Sequence, residues 1–372
     1  MFVGIEPATG KKRYVTKTVR GGKREAQRAL AEMVTHAAEG RLSVARASVG
    51  ELLEEWFAHA SPDFSPSTRL GTRRILDQHL VPAFGAIPLR KLKTKDIDAL
   101  YAALRAGKAS ATRPLRASTI RRVHGVLHVA LQQGVRWGWL PANPASSASP
   151  PRVLTPEIKP PSTAELGRLF NEALTFAPDL ATYVVVASAT GARRSEVIAL
   201  RWRDVDLEAG RVSIAHGLVL GPDGLVEKDT KIHASRTVSI DTTTVARLME
   251  HHGRMSARAA LCGVVLSDAA FVFSDSPDQA EPWRPDSTSR RFTQLRERCK
   301  LPTLRLHDLR HYVATTMLTS GVDVRTVAGR LGHRNASTTL NVYSHFLESS
   351  DKDAADVLGR IFDKAIAPSE DG

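Results

Sequence analysis

The sequence predicts a mainly α-helical protein with one small antiparallel β-sheet, that is, an α+β fold built from several domains. Three observations predict it. The length of 372 residues exceeds that of a typical single domain, amphipathic helical patterns fill most of the chain, and only residues 212–240 are strongly strand-like. We therefore expect a helical domain followed by a mixed domain, with a small ββα-like unit in front of both.

The first unit is predicted over residues 1–46. A turn at 9–13 is followed by an alternating run at 13–20 that is typical of a strand, and a helix rich in Ala, Glu and Arg should begin after Gly21-Gly22. Only one strand pair precedes the helix, which indicates a small and shortened unit. Its candidate nucleic-acid contacts are Lys11, Lys12 and Arg13.

Residues 47–145 are predicted to form a domain of four amphipathic helices. Ser48 and Glu51 form a capping box at the first helix, a second helix should span about 66–79, and Thr94 should cap the third. The fourth should span about 118–135 and bury Ile120, Val123, Leu127, Ala130 and Leu131. Basic residues lie on the outside of this domain, and the candidate nucleic-acid contacts among them are Arg113, Arg116, Arg121 and Arg122.

Residues 146–161 are predicted as an extended linker, because seven prolines occur between 141 and 161. A second capping box, Ser162 with Glu165, opens a domain that should run to about residue 366, before a tail at 367–372. Its small antiparallel sheet is expected within 212–240. We interpret the pair His251-His252 as a surface feature, since no other metal ligands are near it in sequence.

The net charge of +13 is confined to the first 150 residues. Residues 1–46 carry net +6, residues 47–150 carry net +7, and residues 151–372 are neutral. Such an excess predicts a polyanionic partner, nucleic acid before a membrane surface. A basic face that only keeps the protein soluble is the alternative.

Other classes of protein are disfavoured by what the sequence lacks. No 18-residue apolar run occurs, and the first twenty residues have no apolar core, so neither a membrane span nor a signal peptide is predicted. Two cysteines, Cys262 and Cys299, cannot build a disulfide framework or a four-thiolate zinc site. We expect no metal, no cofactor and no membrane partner.

Short segments of the last domain concentrate arginine, lysine, imidazole and phenol groups. Arg193 follows a glycine turn, and Glu196 is close enough in sequence to orient it. Lys231 lies in the hairpin 229–236, from which a long side chain can reach a substrate. The remaining candidates are His307 and Arg310, which share a helical face, and His333 and Tyr343. Each alone is more often a surface or core residue, so only their joint occurrence indicates a site.

In this order and spacing, the segments resemble the tyrosine recombinase family, the lambda-integrase-type phage integrases and related site-specific recombinases. The matching residues are Thr190-Gly191-Ala192-Arg193, Lys231, His307-Asp308-Leu309-Arg310-His311, Leu331-Gly332-His333 and Tyr343. No catalytic position departs from the family pattern. The family pattern covers residues 162–346, and the resemblance implies that 162–366 is the catalytic domain, 47–145 binds a core DNA site, and 1–46 is an arm-type DNA-binding unit.

The resemblance implies a role for each matching side chain in cutting and rejoining DNA strands. Tyr343 would attack a phosphodiester to form a 3′-phosphotyrosine, and Arg193 and Arg310 would clamp the phosphate. His333 would donate to the same phosphate, His307 would assist proton removal from the phenol, and Lys231 would be the general acid.

The resemblance also implies partners and a setting. We expect double-stranded DNA attachment sites, a homo-tetramer on two duplexes, and a DNA-bending or directionality factor, in the bacterial cytoplasm at the nucleoid. The expected function is integration and excision of a phage or other mobile element. A dimer-resolving or transposon recombinase, a strand-relaxing topoisomerase and a non-catalytic DNA-binding protein are the alternatives.

Overall fold

The computed structural model describes residues 2–5, 12–14, 18–19, 21–38, 47–108, 113–154, 159–229, 235–333, 335–343, 355–356 and 358–362. The chain divides into two compact units, Met1–Pro156 and Glu157–Gly372. Helices predominate and the strands form small antiparallel sheets, so the predicted fold class is confirmed. None of the helices in these ranges is long and apolar enough to cross a membrane.

The chain begins with two strands and one helix. Strand β1 (Phe2–Ile5) pairs antiparallel with β2 (Lys12–Tyr14), and helix α1 spans Lys23–Ala38. The predicted strand was longer, but residues 18–19 do not belong to a strand. Lys11 and the side chains of Lys12 and Arg13 lie outside the described residues.

Five helices of the first unit enclose an apolar core. They are α2 (Val49–Ala60), α3 (Pro66–Ile75), α4 (Val81–Phe84), α5 (Thr94–Ala106) and α6 (Ala117–Arg136), with a π-helical turn, Leu76–Leu80, after α3. The capping box at Ser48 is confirmed, because its hydroxyl accepts from the Glu51 amide at 3.2 Å while the Glu51 carboxylate accepts from the Ser48 amide at 2.7 Å. All five predicted core positions of α6 are fully buried.

The prediction that Thr94 caps α5 is wrong. The N-cap is Lys93, whose amide donates to the Asp96 carboxylate at 3.0 Å, and Thr94 is the first helical residue. The Thr94 hydroxyl instead donates to the Pro144 carbonyl at 2.8 Å. The Thr94 hydroxyl, which the sequence pattern assigned to the start of α5, therefore bonds to a carbonyl that is distant in sequence.

The start of the proline-rich segment packs on the helical unit. Pro144–Ser147 forms a 3₁₀ turn, the Ser149 amide donates to the Asp98 carboxylate at 2.7 Å, and the Arg121 Nε donates to the Pro151 carbonyl at 3.0 Å. These bonds hold the chain against α5 and α6 as far as Pro151.

The second unit places two small antiparallel sheets among eight helices within the described residues. The first three helices are α7 (Thr163–Phe176), α8 (Pro178–Thr190) and α9 (Arg194–Val197); β3 (Val205–Asp206), β4 (Arg211–Ile214) and β7 (Arg236–Ser239) then form one sheet, and β5 (His216–Gly221) and β6 (Gly224–Asp229) form a hairpin. The last five are α10 (Thr242–Leu261), α11 (Pro285–Arg298), α12 (Asp308–Thr319), α13 (Val324–Leu331) and α14 (Ala336–Tyr343).

In this unit one helix-capping prediction is confirmed and one prediction of side-chain exposure is wrong. Ser162 and Glu165 form the predicted capping box. The surface interpretation of His251 is wrong, because this side chain is 1% exposed, its Nε2 donates to the Val272 carbonyl at 2.7 Å, and its ring packs beside Phe273. His251 lies on the face of α10 that packs on the core. Two adjacent histidines in the sequence do not show which of them lies on that face.

Candidate active site

A glycine turn opens the site at the end of α8. Gly191 has φ of +64°, in the left-handed region, and a Cβ at this position would lie 2.7 Å from Leu331 Cδ2. Both facts favour glycine here. The chain therefore turns sharply, and Arg193, two residues later, becomes the N-cap of α9.

Arg193 is held in place by a buried carboxylate, as the spacing predicted. Its Nη1 donates to Glu196 Oε1 at 2.7 Å, its backbone amide donates to Oε2 at 2.9 Å, and its Nη2 donates to the Gly332 carbonyl at 3.2 Å. The Glu196 side chain is 4% exposed, whereas that of Arg193 is 42% exposed. The guanidinium is thus held by Glu196 and by the Gly332 carbonyl, and the Arg193 side chain still reaches solvent.

Arg236 completes this arrangement and was missed by sequence reasoning. Its Nη2 donates to Glu196 Oε2 at 2.6 Å and its Nε to the Arg330 carbonyl at 2.9 Å, and its side chain is 11% exposed. Strand alternation could have found it, because Arg236 shares a face of β7 with the buried Val238. An arginine on a buried face needs a carboxylate partner.

Glu196 remains a carboxylate despite its burial. Burial raises the pKa of this group, but the hydrogen bond and charge of Arg236, together with the backbone amide and charge of Arg193, hold the pKa below its usual value. A buried anion therefore joins two cations.

Arg310 approaches the same turn from α12. Its side chain is almost fully buried, and its Nη1 donates to the Gly191 carbonyl at 2.7 Å. The first turn of α12 is fixed by Asp308, which accepts from the backbone amide of Arg305 at 2.7 Å. Arg310 and Arg193 are consequently anchored to backbone carbonyls at the two ends of one small region, Gly191 and Gly332.

The two predicted histidines lie in this cationic region. Burial, followed by the charges of Arg310 and Arg193, lowers the pKa of His333 to about 4. Burial and the charge of Arg310 also lower the pKa of His307, whose ring packs edge-on against His311 at 4.8 Å. A histidine with a lowered pKa is neutral near pH 7, so each ring has one nitrogen that donates a hydrogen bond and one that can accept a proton.

Two predicted catalytic residues, Lys231 and Tyr343, have side chains outside the described part of the structure. Lys231 lies outside the described residues, which stop at residue 229 on β6 and resume at 235. Tyr343 is the last residue of α14, and its side chain is also outside the described part.

The four candidate nucleic-acid contacts of the helical unit are all exposed, two just before α6 and two in its second turn. Arg121 already donates to the Pro151 carbonyl. Arg122 covers Gly71 of α3, where a Cβ would come within 2.5 Å of its Nη2. The other two are Arg113 and Arg116. Across the parts of both units that the structure describes, no three His, Cys, Asp or Glu side chains could hold a metal ion together.

Comparison with known families decides the class of protein. Residues 163–349 match the family model described as "Phage integrase family", and residues 48–104 match "Phage integrase, N-terminal SAM-like domain". The chain belongs to the phage integrase family. The resemblance predicted from the motifs is confirmed, as is its functional class, a tyrosine-type site-specific recombinase of the integrase kind.

Named relatives cover most of the chain at low identity. The putative prophage phiRv2 integrase of Mycobacterium tuberculosis is 26% identical over 85% of this chain and 79% of its own length. The ICEBs1 integrase of Bacillus subtilis is 24% identical over 95% and 94%. A "Tyrosine recombinase XerC-like" protein of Caldanaerobacter subterraneus is 25% identical over 66% of each chain.

Solved structures share the fold. The Tn1549 transposon integrase, in complex with transposon right end DNA, matches with a TM-score of 0.69 at 18% identity, covering 84% of this chain and 99% of that one. A lambda integrase dimer bound to a COC′ core site matches with a TM-score of 0.59 at 17% identity, covering 90% of both chains.

The lowered pKa of His333 predicts how the stability of the second unit depends on pH. Between about pH 6.5 and 4 the unfolded chain binds a proton at this ring and the folded chain does not, so the free energy of unfolding should fall as the pH falls through that window. His333→Gln removes this contribution and should make the fall less steep. Hydrogen exchange of peptides from the second unit, followed against pH, measures it.

His59→Gln is the matched control, since His59 is an exposed residue of the first unit. Its slope should equal that of the unaltered protein. An unchanged slope in the His333 variant would contradict the prediction.

Proposed function

We propose that this integrase cuts one DNA strand with Tyr343, forming a 3′-phosphotyrosine and freeing a 5′-hydroxyl, and then rejoins strands by the reverse step. The observation that carries the proposal is the convergence of Arg193, Arg310 and His333 at the Gly191 and Gly332 turns. All three are positions at which the sequence matches the family pattern.

The phosphate is bound by the two arginines. Negative charge gathers on the nonbridging oxygens in the transition state, and planar guanidinium groups can donate two parallel hydrogen bonds to such oxygens. Arginine stays charged at any relevant pH, so this clamp does not titrate away. Because Glu196 and the Gly191 carbonyl anchor the guanidinium groups, little reorganisation is needed when the phosphate arrives.

Proton transfer is the role of His307 and Lys231. The phenol of a tyrosine has an unperturbed pKa near 10, so Tyr343 needs a base, and the neutral His307 can accept its proton. His333 donates a hydrogen bond to the phosphate. Lys231 protonates the leaving 5′-oxygen, which balances the proton lost by the phenol.

The substrate is double-stranded DNA carrying attachment sites. The catalytic unit at 162–366 cuts it, the helical domain at 47–145 binds the core site, and residues 1–46 bind a distant arm site. Four protomers hold two duplexes, and a DNA-bending or directionality factor brings the arm and core sites together. The protein acts in the bacterial cytoplasm on nucleoid DNA, where it integrates and excises a phage or other mobile element.

A dimer-resolving or transposon recombinase is the second candidate. It is favoured by the XerC-like relative and by the likeness to the fold of a transposon integrase. The basic ββα unit at the start of the chain favours an integrase that also reads arm sites.

Tyr343→Phe tests the nucleophile. Removing one oxygen should leave folding and DNA binding intact and abolish covalent protein–DNA adducts, because no phenolate can attack the phosphate. A suicide substrate carrying the core site, analysed on a denaturing gel, measures the adduct. An adduct formed by the Phe variant would show that another residue attacks.

Lys231→Ala tests the general acid, with Lys228→Ala as its matched control three residues away on β6. A 5′-bridging sulfur leaves with hardly any need for a proton, so this substrate should restore cleavage by the Lys231 variant. The Lys228 variant should cleave both substrates normally. Restoration confined to the Lys228 variant would reverse the assignment.

Deletion of residues 1–46 tests the arm-site proposal. The shortened protein should cleave short core-site duplexes at the normal rate and fail to recombine full attachment sites, because only the arm contact is lost. Core binding should remain salt-dependent, since the helical domain releases its own counterions. Footprints of both proteins on a full site decide the question, and identical footprints would favour the resolvase alternative.

A further inference from the structure

A threonine on α14 bonds to the histidine of the candidate site. Thr339 Oγ1 lies 2.8 Å from His333 Nδ1, and the Thr339 side chain is 0% exposed. Helix α14 packs against α13, which ends beside His333, and against α12, which carries Arg310. The hydrogen bond therefore joins the body of the site to the helix that ends at Tyr343.

The position of Thr339 along α14 gives this bond a consequence for the nucleophile. Tyr343 is the fourth residue after Thr339, so the two positions share a face of the helix, one turn apart. A threonine hydroxyl within a helix ordinarily bonds to the carbonyl four residues earlier. At Thr339 the hydroxyl bonds instead to a side chain outside the helix, which fixes the helix to the turn after α13.

The same bond bears on which nitrogen of His333 carries the hydrogen. The ring is neutral near pH 7 because burial and the neighbouring arginines lower its pKa to about 4, so only one of its two nitrogens is protonated. When the threonine hydroxyl donates to Nδ1, the hydrogen resides on Nε2. Nε2 is then the donor available to a phosphate oxygen.

We propose that Thr339 is a positioning residue for strand cleavage, which fixes His333 as the Nε2–H tautomer and holds the α14 turn that leads to Tyr343. The inference rests on the proposed roles of His333 and Tyr343. It adds a residue that contacts neither the DNA nor the reacting atoms. The hydroxyl is the essential group, because the methyl group of threonine could be buried by valine equally well.

Three variants separate the hydroxyl from packing. Thr339→Val keeps the shape and removes the donor, and we expect adduct formation on a core-site suicide substrate to slow at least tenfold with unchanged DNA affinity. Thr339→Ser keeps the hydroxyl and should recover most of the rate. Ser337→Ala, at an exposed position of the same helix, is the matched control and should cleave normally.

A spectroscopic measurement on the protein without DNA reports the tautomer directly. In protein labelled with ¹⁵N-histidine, the His333 signals, identified by their loss in His333→Gln, should show a protonated Nε2 and an unprotonated Nδ1. The Ser variant should give the same pattern. The Val variant should show the hydrogen shared between the two nitrogens.

The outcomes are distinct. Normal cleavage by Thr339→Val, equal slowing in the Val and Ser variants, or an unchanged ring signal in the Val variant would each overturn the inference. If the unaltered protein formed no adduct with any core site, the proposed function would fail. The ring signals would still decide whether Thr339 sets the tautomer of His333.

Discussion

The buried Glu196 carboxylate is the interaction on which the candidate site depends. It accepts hydrogen bonds from Arg193 on one side and Arg236 on the other, and it connects α9 with β7. Arg236 continues the connection to the Arg330 carbonyl at the end of α13. Breaking one side of a buried ion pair typically costs about 3–5 kcal/mol, because it leaves a charge without compensation. The network therefore constrains three segments that are distant in sequence.

Glycine makes this convergence possible at two turns. Gly191 and Gly332 both end helices with left-handed backbone, and both offer a carbonyl to an arginine of the site. At Gly332 a Cβ would come within 2.6 Å of Arg236 Nη1, so the absence of a side chain lets the guanidinium lie against the backbone. The turns thus hold the cations close together.

Burial, together with concentrated positive charge, explains why the histidines suit their proposed roles. A protonated imidazole beside Arg193 and Arg310 would meet two further cations in a partly buried setting, so both His333 and His307 favour the neutral form. A neutral ring can accept a proton from a phenol or donate a hydrogen bond to a phosphate, whereas the arginines supply the fixed charge.

The sequence by itself determined what depends on neighbours a few residues apart. The capping boxes at Ser48 and Ser162, the buried stripe of α6 and the link from Glu196 to Arg193 all act within one or two helical turns, and the motif order identified the family. Only the tertiary structure decided the rest. Arg236 lies 40 residues from its partner Glu196, and the hydroxyl of Thr94 bonds to a carbonyl 50 residues away. His251 is buried against segments outside its own helix. Hydrogen bonds and burial between distant segments follow from how helices and strands pack, and no local pattern of residues records that packing.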